Sequence, residues 1–141
     1  MLFVDTSPLI YFVEQHPIYH PTCRAVFERI DTGDLSGVTT VITLTEVLTV
    51  PLRTGNTVIE KLYRDILLHS RNFSLLMIDT PIADRAAQLR ALYKLRTADA
   101  IQIGAALAVG CQAFLTNDDR LTRVTELRVL LLDDLELDPA N

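Results

Sequence analysis

Short apolar runs alternate with helical stretches along this chain, and most of the runs hand over to a helix almost at once. "LFV" stops at Asp5, and "TSPLIYFVE" reads as a helix with Thr6 or Ser7 as N-cap and Pro8 in the first turn. "HPTCRAVFERIDTG" is a second helix, with Pro21 near its start. "SGVTTVI" is short and β-branched and feeds the helix "TLTEVLTVPLR", which Pro51 should end or kink. "NTVIEKLYRDILLHS" carries Val58, Ile59, Leu62, Ile66 and Leu67 at helical spacing. "FSLLMI" predicts a buried strand, and "DTPIADRAAQLRALYKL" a helix begun by Thr80 and Pro81. "TADAIQIGAALAVG" is a helix capped by Thr97 and stopped at Gly110; the strand "AFLT", the acidic turn "NDDRL" and a last strand in "LRVLLL" follow. Strands alternating with helices require an α/β fold of three layers, a mainly parallel central sheet covered by helices on both faces.

The 141 residues suit one domain spanning 1–141, and no linker, internal repeat or low-complexity tract interrupts them. Apolar residues make up 49% and charged residues 22%, the balance of a folded chain. No apolar run approaches the roughly 18 residues of a membrane span, and "MLFVDTSPLI" lacks the basic start of a signal peptide, so the expected location is cytoplasmic, without a membrane partner. Cys23 and Cys111 fit no metal-ligand spacing and are expected as two buried thiols rather than a disulfide. His16 and His20 are four apart, but Pro17 between them argues against one shared helix face; with His69 they read as loop and helix-surface residues. The formal net charge of −5 has the wrong sign for a protein that binds nucleic acid through its overall field. The tail "LDDLELDPAN" supplies much of that charge, leaving a nearly neutral body whose cations are almost all Arg.

Four acids stand at the starts of helices: Asp5, Glu46, Asp99 and Asp118. Each has an ordinary explanation there, because a carboxylate complements the free N–H groups and positive end of a helix dipole. Glu46 also fits a capping box with Thr43 in "TLTE". With Thr6 or Ser7 capping the first helix and Thr97 capping the one that carries Asp99, however, Asp5 and Asp99 are spare, and Thr116 or Asn117 could free one of the Asp118 and Asp119 pair. In a parallel sheet every strand-to-helix turn lies at the carboxyl edge, where open α/β folds place their ligands. Asp5, Glu46 and Asp118 follow strands, and the helix of Asp99 must begin at that same edge to feed "AFLT" from the other.

Two carboxylates about 5 Å apart repel by roughly 3 kcal/mol at an effective dielectric near 20. Shared protons or a hard divalent cation can offset this, and an oxygen-only set favours Mg²⁺ or Mn²⁺. Such an ion polarises a phosphate oxygen and lowers the pKa of bound water, which makes phosphodiester hydrolysis the expected chemistry. On this reading Asp99→Asn should relieve repulsion and raise the stability of the metal-free protein.

With "VDTS", "TLTEV", "TADAIQIGAA" and "FLTNDDRL" in this order, nearly the whole chain resembles the PIN domain, the fold of metal-dependent ribonucleases that includes the VapC toxins of toxin-antitoxin pairs. The resemblance implies that Asp5, Glu46, Asp99 and Asp118 are catalytic metal-site acids. It makes Thr6 and Thr116 the hydroxyls that orient them or a bound water, and leaves Asp119 between metal contact and a turn role. It further implies endonucleolytic RNA cleavage leaving a 5′-phosphate and a 3′-hydroxyl, a cognate antitoxin protein as partner, and room for a homodimer. The Lys-poor body departs from many RNA-binding members. A response-regulator receiver would need an acidic pair after the first strand and a late lysine, whereas only Asp5 and the lysines Lys61 and Lys94 are present. A haloacid-dehalogenase phosphatase would need an acid where Ser7 stands. The remaining alternative is a non-catalytic PIN-like module that binds RNA or protein and keeps its acids as caps.

Overall fold

The first strand, β1 (Leu2–Val4), is buried throughout, and its pleat sends Leu2 and Val4 to one face of the sheet and Phe3 to the other. The structure, a computed structural model, describes residues 1–135; the tail acids Glu136 and Asp138 lie outside the described residues. After β1 come α1 (Thr6–Val13), α2 (His20–Thr32), β2 (Gly37–Thr40), α3 (Val41–Thr54), α4 (Thr57–His69), β3 (Phe73–Leu76), α5 (Thr80–Tyr93), α6 (Thr97–Ala108), β4 (Ala113–Thr116) and β5 (Val129–Leu131), with a 3-10 turn over Asp119–Arg123. The five strands lie in the order β3-β2-β1-β4-β5, and every pairing is parallel.

One core lies between the sheet and α1 to α4, where Leu2, Val4 and Leu115 meet Leu9, Phe27, Val47 and Tyr63. The other lies beneath α5 and α6, where Phe3 and Phe114, register partners in β1 and β4, stack with ring centroids 4.9 Å apart and pack with Ile82, Leu89 and Ile103. The three-layer α/β architecture read from the alternation is therefore the one observed. Cys23 and Cys111 are both buried free thiols, and burial pushes Cys23 up to about 12. Among the described residues no helix is long and apolar enough to cross a membrane.

Element boundaries depart from the sequence reading in several places. "FSLLMI" forms a strand only over Phe73–Leu76, because β3 is an edge strand and the chain leaves the sheet at Met77, which is 74% exposed. "LRVLLL" pairs only over Val129–Leu131 before a 3-10 turn at Leu132–Asp134. Pro51 does not end α3: it withholds one N–H near the helix end, and the helix continues to Thr54 before Gly55 stops it at φ 73°.

Gly37 shows how tightly β2 is seated. A Cβ there would lie 2.6 Å from Phe73 Cδ2 and 2.8 Å from Ile30 Cδ1, and both side chains are buried. Gly37→Ala is expected to cost about 1–3 kcal/mol by overpacking. Urea denaturation should show the loss; a variant as stable as the parent would mean that Phe73 and Ile30 can yield.

Candidate active site

β1 is the switch point of the sheet. From it the chain winds outwards through β2 to β3, then crosses back to place β4 on its other side, so the turns after β1 and β4 open a crevice at the carboxyl edge. Asp5 follows β1 and Asp118 follows β4. Their backbones are joined as the sheet ends, where the Asp5 N–H donates to the Leu115 carbonyl at 2.9 Å. A larger groove runs along α2 near Met1 and Gln112, at the amino ends of β1 and β4, and contains none of the candidate acids.

Asp5 is itself the N-cap of α1, in place of the expected Thr6 or Ser7: its Oδ1 accepts the Thr6 N–H at 2.9 Å. Its Oδ2 accepts the Thr116 hydroxyl at 2.8 Å, and Thr116 Oγ in turn accepts the Asp118 N–H at 3.1 Å. One buried hydroxyl thus links the acids of β1 and β4. Burial raises the Asp5 carboxyl from 3.8 to about 6 against the pull of these hydrogen bonds, and the negative charges of Asp99 and Glu46 add to the rise. Among the described residues no cation pairs with Asp5.

Glu46 is not part of a capping box. Helix α3 begins at Val41 with Thr40 as its cap, so Thr43 is inside the helix and fully buried, and Glu46 is exposed in the second turn. The earlier start arises because Thr40 Oγ accepts the Ile42 N–H at 3.1 Å, a capping bond made three residues before the expected one. Glu46 Oε1 accepts the Thr6 hydroxyl at 2.9 Å.

Asp99 lies in the first turn of α6, whose cap position is Arg96 rather than Thr97 and carries no side-chain capping bond. Arg96 Nε donates to Asp99 Oδ2 at 3.1 Å. Asp118 caps the 3-10 turn through the Arg120 N–H at 3.0 Å and is gripped by Arg120 Nε at 2.9 Å and Nη2 at 2.7 Å. Those hydrogen bonds hold the Asp118 carboxyl below its ordinary range. Asp119 is exposed and its side chain makes no hydrogen bond among the described residues. Arg96, Arg120, Lys94 and Arg123 rim a small cleft that contains Asp99 and Asp118.

Two local roles are thus the reverse of those expected, since Asp5 caps and Glu46 does not, whereas Asp99 makes no capping bond and Asp119 is the free member of the Asp118 and Asp119 pair, as expected. Sequence reasoning also missed the two arginines and the buried Thr39, Thr40 and Gln102 beneath the edge. The arginines had a signal, each lying two or three residues from an acid across a turn. His16 Nδ1 accepts the N–H groups of Ile18 and Tyr19 in the turn before α2, and His20 stacks on Phe12.

A family profile for the PIN domain matches residues 2–127. The chain belongs to the PIN-domain family. Its fold is shared with a toxin-antitoxin complex from Klebsiella pneumoniae, at 21% identity and TM-score 0.72 over 94% of this chain and 98% of that one. It is also shared with VapBC2 from Rickettsia felis, solved bound to a DNA fragment from its promoter, at 13% identity and TM-score 0.72 over 93% of this PIN domain and 98% of that chain. A third is VapC20 from Mycobacterium tuberculosis, a toxin that cleaves the sarcin-ricin loop, at 16% identity and TM-score 0.72 over 91% of this chain and 99% of that one. Comparison with curated protein sequences returns no match.

The donor chemistry of the edge fits a hard divalent cation: it offers carboxylate and hydroxyl oxygens, and half-buried Asp5 feels the negative charges of Asp99 and Glu46 with no Lys or Arg paired to it among the described residues. As they stand, no three or more His, Cys, Asp or Glu side chains among the described residues form a metal-holding group. Asp99 and Asp118 are held by Arg96 and Arg120 instead.

Proposed function

We propose that this PIN domain, taken as one unit over residues 1–141, is a Mg²⁺- or Mn²⁺-dependent endoribonuclease and the toxin of a toxin-antitoxin pair, acting in the cytoplasm. The observation that carries the reading is the half-buried Asp5 at the switch point, which pairs with no Lys or Arg among the described residues while Glu46 and Asp99 add negative charge to its surroundings. Membership of the PIN family and the shared fold with toxin-antitoxin complexes support it. Asp5, Glu46, Asp99 and Asp118 would hold the ion, which when bound supplies charge for a phosphate oxygen and an activated water. Thr116 and the Thr6 amide fix both oxygens of Asp5, so that carboxylate is oriented before any ligand arrives. Thr6 orients Glu46. Arg96 and Arg120 are placed to take phosphate oxygens of an RNA backbone, which guanidinium groups bind in bidentate fashion. Asp119 would stay at the solvent side of this exchange. An antitoxin would silence the enzyme by covering the same edge, its own Arg pairing with the carboxylates.

Purified protein is expected to cleave single-stranded or loop RNA with Mg²⁺ or Mn²⁺ and to stop in excess EDTA, leaving 5′-phosphate ends. Full cleavage in EDTA would refute the metal chemistry. Cleavage of no RNA pool with either ion would instead favour the non-catalytic module, whose acids are clamped by Arg96 and Arg120. Growth arrest on expression without a partner tests the toxin assignment separately from the nuclease one.

A further inference from the structure

We infer that Thr43 and Gln102 are positioning residues for Glu46, acting through a one-way chain of hydrogen bonds buried beneath the carboxyl edge; this rests on the nuclease reading of Glu46. The direction of every bond follows from the carboxylate at its end. The Thr6 hydroxyl donates its single proton to Glu46 Oε1 at 2.9 Å. The 3.1 Å contact between Thr6 Oγ and Thr43 Oγ must then be Thr43 donating to Thr6. Its one proton spent, Thr43 can only accept from its other two neighbours, Thr39 Oγ at 2.8 Å and the Gln102 amide at 2.7 Å. Gln102 therefore turns its NH₂ to Thr43 and its carbonyl to Thr40, whose hydroxyl donates to Gln102 Oε1 while accepting the Ile42 N–H. Reversing any link would strand a hydroxyl proton or set two acceptor oxygens face to face.

Thr39, Thr40 and Thr43 are fully buried and Gln102 is 1% exposed, and no buried side-chain polar atom among the described residues lacks a partner. The chain runs from β2 through α6 and α3 to α1, so it ties together the helices that present Asp5, Glu46 and Asp99. Gln102 lies three residues after Asp99, on the same side of α6. With Oε1 held by Thr6, Glu46 Oε2 has no hydrogen-bond partner among the described residues and is left to a ligand. A carboxylate held at one oxygen by such a chain is pre-oriented, and loss of a supporting partner of this kind costs about 10–100-fold in metal affinity.

Calorimetric titration of the full chain with Mn²⁺ alone, followed by RNA cleavage kinetics, tests this with Thr43→Val, Thr43→Ser and Gln102→Glu. Thr43→Val keeps the shape and removes the hydroxyl, whereas Gln102→Glu replaces the NH₂ donor by an acceptor and forces Thr43 to turn its proton away from Thr6. Both are expected to weaken Mn²⁺ binding about tenfold or more and to lower kcat with little change in KM, while Thr43→Ser restores both. If Thr43→Val fails to fold, Thr6→Val breaks the last link at its half-buried end and is expected to show the same loss. Folded variants that bind Mn²⁺ and cleave within twofold of the parent would overturn the positioning role alone. A parent that neither binds Mn²⁺ nor cleaves RNA would overturn the nuclease reading and this inference with it.

Discussion

Asp5→Asn is expected to lower metal-dependent RNA cleavage by about 100-fold or more and, in EDTA at pH 7, to make the protein more stable than the parent. The first effect follows because a group that only supports a metal ligand is worth about 10–100-fold, and Asp5 is proposed as a ligand itself. The second follows from linkage. The Asp5 carboxyl lies at about 6 in the folded state against an ordinary 3.8, chiefly through burial, so the folded protein binds more protons than the unfolded one between these values. Folding stability therefore falls as pH rises through that window, by an amount on the order of 3 kcal/mol at neutral pH, and the loss is absent below 3.8. Asn removes the charge and remains a good N-cap. It can accept only one of the two hydrogen bonds from the Thr6 N–H and Thr116, which sets back roughly 1 kcal/mol. Melting curves in EDTA should show the variant several degrees higher at pH 7 and level with or below the parent near pH 3.5. A variant that melts lower at pH 7 would mean that Asp5 is a helix cap and no more. The sequence placed this test on Asp99, as an acid crowded by its neighbours; Arg96 at 3.1 Å supplies Asp99 with a counter-charge, so removing it loses an ion pair along with the repulsion.

What could be read from the sequence was what periodicity and topology control. Apolar runs such as "LFV" and "AFLT" meet in register at the centre of the sheet, and the order of strands and helices brings Asp5, Glu46, Asp99 and Asp118 to one edge. Caps were misassigned because several side chains compete for the same N–H groups: in "VDTSP" three residues could have capped α1, and "TTVITLTE" offers a threonine at four of its eight positions. The buried polar layer was not legible for a related reason. Gln102 sits in a helix of alanines and isoleucine, and its partners Thr40 and Thr43 are distant in sequence, so only tertiary packing shows that they satisfy one another. Arg96 and Arg120 lie two or three residues from an acid across a turn, a spacing that allows a clamp, but a charged residue there is ordinarily solvated and its rotamer decides whether the clamp forms.

Those arginines give the second large expectation, in which one pair of substitutions moves two affinities in opposite directions. Arg120 grips Asp118 at 2.9 and 2.7 Å and Arg96 holds Asp99 at 3.1 Å, so an ion entering the edge must compete with both guanidinium groups. The arginine side chains are 61% and 71% exposed, which limits each pair to about 0.2–1 kcal/mol. Arg96→Gln/Arg120→Gln is therefore expected to bind Mn²⁺ between about two- and thirtyfold more tightly in the absence of RNA. RNA should respond the other way, because the same two groups are the cations proposed to meet its phosphates. KM for a short single-stranded RNA should rise, and the slope of log affinity against log salt should flatten by about 0.7 for each arginine removed. Calorimetry with Mn²⁺ and a salt series of RNA binding measure the two effects independently. Tighter Mn²⁺ binding with an unchanged salt slope would make the arginines counter-ions of Asp99 and Asp118 and nothing further. Weaker Mn²⁺ binding would mean that they hold Asp99 and Asp118 in the geometry the ion needs, and that the clamp assembles the site instead of competing for it.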